Sequence, residues 1–124
     1  RPRVGYDWIM GGMRIIEEPI TFDELRIIAK KLFGDMVKAV VDLERRAMAV
    51  GGELHADEEA LLLDQGSLQQ NLWGINIYPD QPRESWIEYD SMINIRPSQG
   101  NRSRNVENQE IQKKIHDIVN SLIS

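Results

Sequence analysis

Cysteine is absent from the 124 residues, so neither a disulfide nor a thiolate zinc site can staple this chain. A reducing cytoplasm suits such a composition, and a cytoplasmic location is the expectation. Long apolar runs are missing too. None approaches the roughly 20 residues of a membrane helix, so no membrane partner is expected. The apolar stretch 9–13 is short and broken by two glycines, unlike a secretory leader. Positive charge is in deficit, with 15 Lys and Arg against 20 Asp and Glu, a net charge of −5. That balance disfavours nucleic acid as a partner for the surface as a whole. No internal repeat or low-complexity tract is visible, and the length suits one domain with its own core.

Residues 1–12, "RPRVGYDWIMGG", have no clear period. They read as an appended or upstream extension, or else as an extra edge strand. Residues 13–124 read as a single domain. "MRIIEEPI" begins with a short strand that Pro19 stops. Thr21 and Glu24 then form a capping box, with Ile20 and Leu25 at the staple positions. Leu25, Ile28, Ala29, Leu32 and Phe33 follow at helical spacing, and Gly34 ends the helix. Val37, Ala39, Val41 and Leu43 alternate as a strand, "ERR" turns, and residues 47–50 return as its partner. Asp57 is placed to cap a short helix that runs to Leu63, with Gly66 beyond its end.

Residues 72–78 and 86–96 read as two further strands. The second has Ile87, Tyr89, Ile93 and Ile95 on one face. Trp86, Glu88, Asp90, Met92, Asn94 and Arg96 fall on the other. Ile111, Ile115, Ile118, Val119, Leu122 and Ile123 make an amphipathic last helix starting near Asn105 or Asn108. Hairpins dominate, so the fold expected is α+β. It has a mainly antiparallel sheet of about four to five strands, with two longer helices and one short helix on one face.

The strings "FGDMVKAVVDLE", "GGELHADEEALLL", "LWGINIYP" and "SMINIRPSQGNRSR" carry a resemblance. The chain resembles a family of small bacterial proteins of unknown function that includes cyanobacterial members. The likeness spans about residues 13–123. It implies no activity, cofactor or site residue, because none is assigned to that family, but it supports Met13 as the natural start.

Candidate sites therefore rest on the residues. Between Ser91 and Val106 there is no acid, yet Arg96, Arg102 and Arg104 all lie there. Pro97 and Gly100 shape turns whose N–H groups can nest an anion, and a helix N-terminus follows. Arginine forks match phosphate or carboxylate oxygens. The leading expectation is a small anionic ligand, phosphorylated or nucleotide-like. Arg96, Arg102 and Arg104 would contact it, Asn94, Gln99 and Asn101 would orient it, and Gly100 would form the loop. The competing reading is a connecting loop whose arginines pair with Glu107, Glu110 or the acids of the second helix.

His55 and Asp90 are the candidates for acid–base chemistry. His55, Asp57 and Asp90 would serve an alternative, a metal-dependent phosphohydrolase or nuclease, although their spacing matches no metal motif and acids at 57–59 also suit a helix start. No cofactor is called for. Trp86 and Tyr78, opposite the core face, could stack on bases. A third alternative is a non-catalytic module that forms a homodimer through a sheet edge. Convergence of His55, Asp90 and Arg96 in one pocket would distinguish a site from such a module.

Overall fold

A computed structural model describes residues 12–124. The extension assigned to residues 1–12 therefore lies almost wholly outside the described residues. Five strands, β1 (Arg14–Ile16), β2 (Val37–Asp42), β3 (Ala47–Val50), β4 (Leu72–Ile77) and β5 (Ile87–Glu88), form one sheet in the order β1-β3-β2-β4-β5. Every pairing is antiparallel. Among the described residues three α-helices accompany it, α1 (Phe22–Leu32), α2 (His55–Asp64) and α3 (Gln109–Leu122). No helix among the described residues is long and apolar enough to cross a membrane.

Local chemistry fixes the ends of α1. Thr21 Oγ1 accepts from the Glu24 N–H at 3.0 Å, and Glu24 Oε1 accepts from the Thr21 N–H at 3.3 Å. The start of α3 is set by Asn108, whose Oδ1 accepts from the N–H groups of Glu110 and Ile111. Such caps satisfy donors that a helix start leaves without partners. By contrast, α2 starts at His55 after Leu54 and has no side-chain cap. Asp57 lies inside its first turn, where its charge favours the positive helix end without closing it.

The sheet is covered on both sides, not on one. Alternate residues of each strand enter opposite cores. Ile16, Ala39, Val41, Met48, Trp73 and Ile75 pack with Leu25 and Ala29 of α1 and Ile115, Ile118 and Leu122 of α3. Ile15, Val40, Ala47, Ala49 and Leu72 pack with Leu61 and Leu62 of α2. The helix α2 hides this from a periodicity reading because its buried face includes His55 and Glu58.

The expected strand over 86–96 stops after Glu88. Beyond it come two short 3-10 turns, Met92–Asn94 and Pro97–Gln99. Ser91 Oγ accepts from the Ile93 N–H at 3.2 Å and bends the chain. Side-chain alternation fails accordingly. Ile93 packs on the α2 side, Met92 is exposed, and Asn94 is fully buried. Trp86 is also buried, stacked on Phe22 with ring centroids 5.6 Å apart, so it offers no face to a base.

Candidate functional site

The segment after β5 is built around two carboxamides. Asn94 Oδ1 accepts from the Gly74 N–H at 2.8 Å, and its Nδ2 donates to Gly74 O and Arg104 O, each at 3.0 Å. The side chain thus does for β4 what the backbone of a neighbouring strand would do. Gly74 is needed there, since a Cβ would lie 2.6 Å from Ser91 Cβ and Oγ. Asn101 Nδ2 donates to the carbonyls of Asn94, Ser103 and Asn105, while its Oδ1 accepts from the Glu107 N–H at 2.8 Å.

The arginines are held differently. Arg96 donates to the carbonyls of Gln69 and Leu72 and lies over the Trp73 ring, 4.2 Å from its centroid. Gln99 Nε2 donates to Gln70 O at 3.1 Å. Gly100, at φ 80°, closes the second 3-10 turn. Arg104 grips Asp90 with two prongs, Nε to Oδ1 at 2.7 Å and Nη2 to Oδ2 at 3.3 Å. Arg102 is exposed, and its guanidinium makes no hydrogen bond among the described residues.

An anion nest is present, with an internal anion in it. Glu107 Oε2 accepts from the Arg102 N–H at 3.1 Å, the Ser103 N–H at 2.9 Å and Ser103 Oγ at 2.6 Å. The Ser103 hydroxyl first, then the Arg102 N–H, holds this carboxyl below its ordinary value.

His55 enters the sheet from the start of α2. Its Nε2 lies 2.8 Å from Ile75 O. A carbonyl only accepts, so Nε2 carries the proton and Nδ1 the lone pair in the neutral ring. Burial, the largest cause, lowers the pKa of His55; the Ile75 hydrogen bond and Asp90 oppose it, and Lys38 and Arg104 add to it. His55, Asp90 and Arg104 therefore share one electrostatic neighbourhood. Arg96 is turned away from it, towards Gln69, Leu72 and Trp73.

Across the sheet Lys38 pairs with Asn76 and Asn76 with Glu88. Asn76 Nδ2 and Tyr78 Oη both donate to Glu88 Oε1, at 2.9 and 3.1 Å. Among the described residues no group of three or more His, Asp or Glu side chains is placed to hold a metal ion.

Residues of another kind escaped the sequence reading. Glu58 is fully buried, with Oε2 accepting from the Gly52 N–H at 2.9 Å and Oε1 without a partner. Burial pushes its carboxyl well above the ordinary value. Its place among three consecutive acids disguised it as a helix-start charge. A groove of about 350 Å³ runs between β1 and α1, lined by Ile27, Ile28, Leu32 and Gly51, with Arg14, Glu24 and Lys31 around it. A second cavity of about 450 Å³ lies under the β2–β3 turn. Neither is lined by the residues that the sequence singled out as candidate site residues.

A small antiparallel sheet faced by helices on both sides, with its loop polar groups turned inward, is thus the class of domain. The chain belongs to the family of proteins of unknown function DUF5674, whose model matches residues 14–122. No curated protein and no solved structure matches it.

Proposed function

We propose that the domain is a non-catalytic interaction module that pairs with a second copy of itself through β1. The observation that supports this reading is the contrast between the two edges of the sheet. Beyond the short β5, the edge of β4 is occupied by side chains, Asn94 at Gly74 and Arg96 at Leu72. At the opposite edge β1 pairs with β3 alone among the described residues. Beside it runs the apolar groove, where Ile27 is 54% and Leu32 39% exposed.

A strand at the edge of a sheet can template a further strand, and proteins guard the edges they do not use. Two-fold, self-complementary contacts are the commonest in homo-oligomers. Antiparallel pairing of β1 with β1 would continue the sheet and bring Ile27 and Leu32 of the two copies over a shared apolar patch. The internal contacts of Asp90, Asn94, Arg96 and Arg104 favour the same reading. An anionic ligand or substrate would have to break those contacts before it could use them.

Sedimentation velocity over a wide concentration range tests this. The wild-type chain should pass from monomer to dimer, and Ile27→Asp should stay monomeric with an unchanged melting temperature. A wild-type chain that stays monomeric at the highest concentration would end the reading.

A further inference from the structure

The cavity beneath the β2–β3 turn carries the cationic chemistry that the loop after β5 does not offer. We propose that it binds a small oxyanion-headed amphiphile, a carboxylate or phosphate monoester with a short apolar body. Three observations carry this, none of which enters the dimer reading.

The first is the backbone of Arg46. It is the one non-glycine residue with positive φ among the described residues, at 53°. The left-handed region is disfavoured for a side chain with a Cβ, and glycine or asparagine is the usual occupant at such a place in a hairpin. The turn is held firmly around it. Asp42 is buried, and its Oδ1 accepts from the N–H groups of Glu44 and Arg45, at 2.9 and 3.1 Å. Its Oδ2 accepts from Ser67 Oγ at 2.6 Å. The Arg46 N–H donates to Asp42 O at 3.0 Å, closing the loop. An arginine kept where glycine fits better, on a rigid turn, is a side chain delivered to one place.

The second is what shares that place. Lys114 of α3 lines the cavity with Arg46, and among the described residues neither makes an ion pair or a side-chain hydrogen bond. The cavity's one acid, Glu44, accepts from Asn71 Nδ2 at 3.3 Å. Two cations against one engaged carboxylate, in a chain of net charge −5, make a local positive site. A guanidinium fork and an ammonium can share the oxygens of one head group.

The third is the apolar part of an otherwise polar lining. Leu43 and Ile118 belong to the core and reach this cavity, and Leu68 stands 54% exposed at its rim. At about 450 Å³ the space falls within the range of small-molecule sites, towards its lower end. That suits a head group with a short chain or single ring.

Calorimetric titration with octanoate, octyl phosphate, octanol and inorganic phosphate tests the site. Either or both octyl anions should bind saturably, and which does so identifies the head group. Octanol and inorganic phosphate should bind at least tenfold more weakly, because each lacks half of what the cavity recognises. Arg46→Gly and Lys114→Ala should each weaken the octyl anion at least tenfold. Both substitutions suit their backbone, glycine the left-handed turn and alanine an exposed helix position, so melting temperatures at or above wild type separate lost binding from lost fold. The proposal is overturned by the absence of saturable binding for both octyl anions, by octanol or phosphate binding equally well, or by wild-type affinity in either variant.

Discussion

Glu58 makes the stability of this fold fall as pH rises through a range where most proteins gain or hold. The carboxyl is fully buried, and desolvation is the leading cause of its raised pKa. The Gly52 hydrogen bond and Lys38 act against that, and Asp57 acts with it. The folded state therefore holds a proton that the unfolded chain has released. Its contribution is fully present below the unfolded pKa, near the ordinary 4.5, and is lost as pH rises towards the folded value.

Within that window the loss is up to about 1.4 kcal/mol per pH unit from this one group. His55 works in the opposite sense. Its lowered pKa removes stability as pH falls below the unfolded value of 6.5, so the raw pH curve mixes the two. Glu58→Gln separates them. Glutamine keeps an acceptor for the Gly52 N–H and cannot ionise, and His55 titrates in both chains. Urea melts of the two proteins from about pH 5 to about pH 8 give the difference. The Gln variant's stability relative to wild type should rise with pH and level off only once the folded-state value is passed. A difference that stays flat to within about 0.3 kcal/mol would mean that Glu58 ionises at an ordinary value, and would refute the burial argument.

Other expectations are simpler to read. Asn94→Ala strips the side-chain partner from Gly74 N–H and Gly74 O, while Arg104 O keeps the Ser91 N–H, and at about 1–3 kcal/mol for each of the two buried groups left unpaired it should cost at least about 2 kcal/mol by denaturant melt. Ile115→Ala, in the core under α3, should cost about 2–5 kcal/mol; a loss below about 0.5 kcal/mol would place that face in water. Gly74→Ala drives a Cβ into Ser91 and should destabilise by about 1–3 kcal/mol, and adding Ser91→Gly should recover part of the loss. Arg104→Ala breaks an exposed pair with Asp90 and should cost no more than about 1 kcal/mol, with salt reducing the effect.

Much of the architecture was legible because its signals are local. The Thr21–Glu24 box, the alternation in β2 and the α3 stripe each depend on residues close in the chain. The side of the sheet taken by α2 was not legible, since a buried histidine and glutamate erase its apolar stripe. The strand over 86–96 misled for the converse reason. The alternation is present in the sequence and not in the fold, because Ser91 and Asn94 commit their side chains to backbone groups, and nothing in a pattern of apolar residues records that.

The loop arginines posed the same difficulty. An acid-free stretch shows where counter-charges are missing in sequence, while just outside it Asp90 pairs with Arg104 and Glu107 fills the backbone nest. Arg46 was passed over as part of a polar turn, because its left-handed backbone depends on how Asp42 and Ser67 tie the loop.

The seal that Asn94 places on β4 differs in kind from a strand. Two paired strands separate only when a stretch of backbone moves, but a carboxamide can leave by rotating about its own side-chain bonds. Amide hydrogen exchange at Gly74 should then report the opening of the 91–104 loop, faster than at Ile75 or Ile77 in the same strand and without exposing the sheet. One amide in the middle of β4 would serve as a clock for a loop, and its neighbours as a clock for the fold.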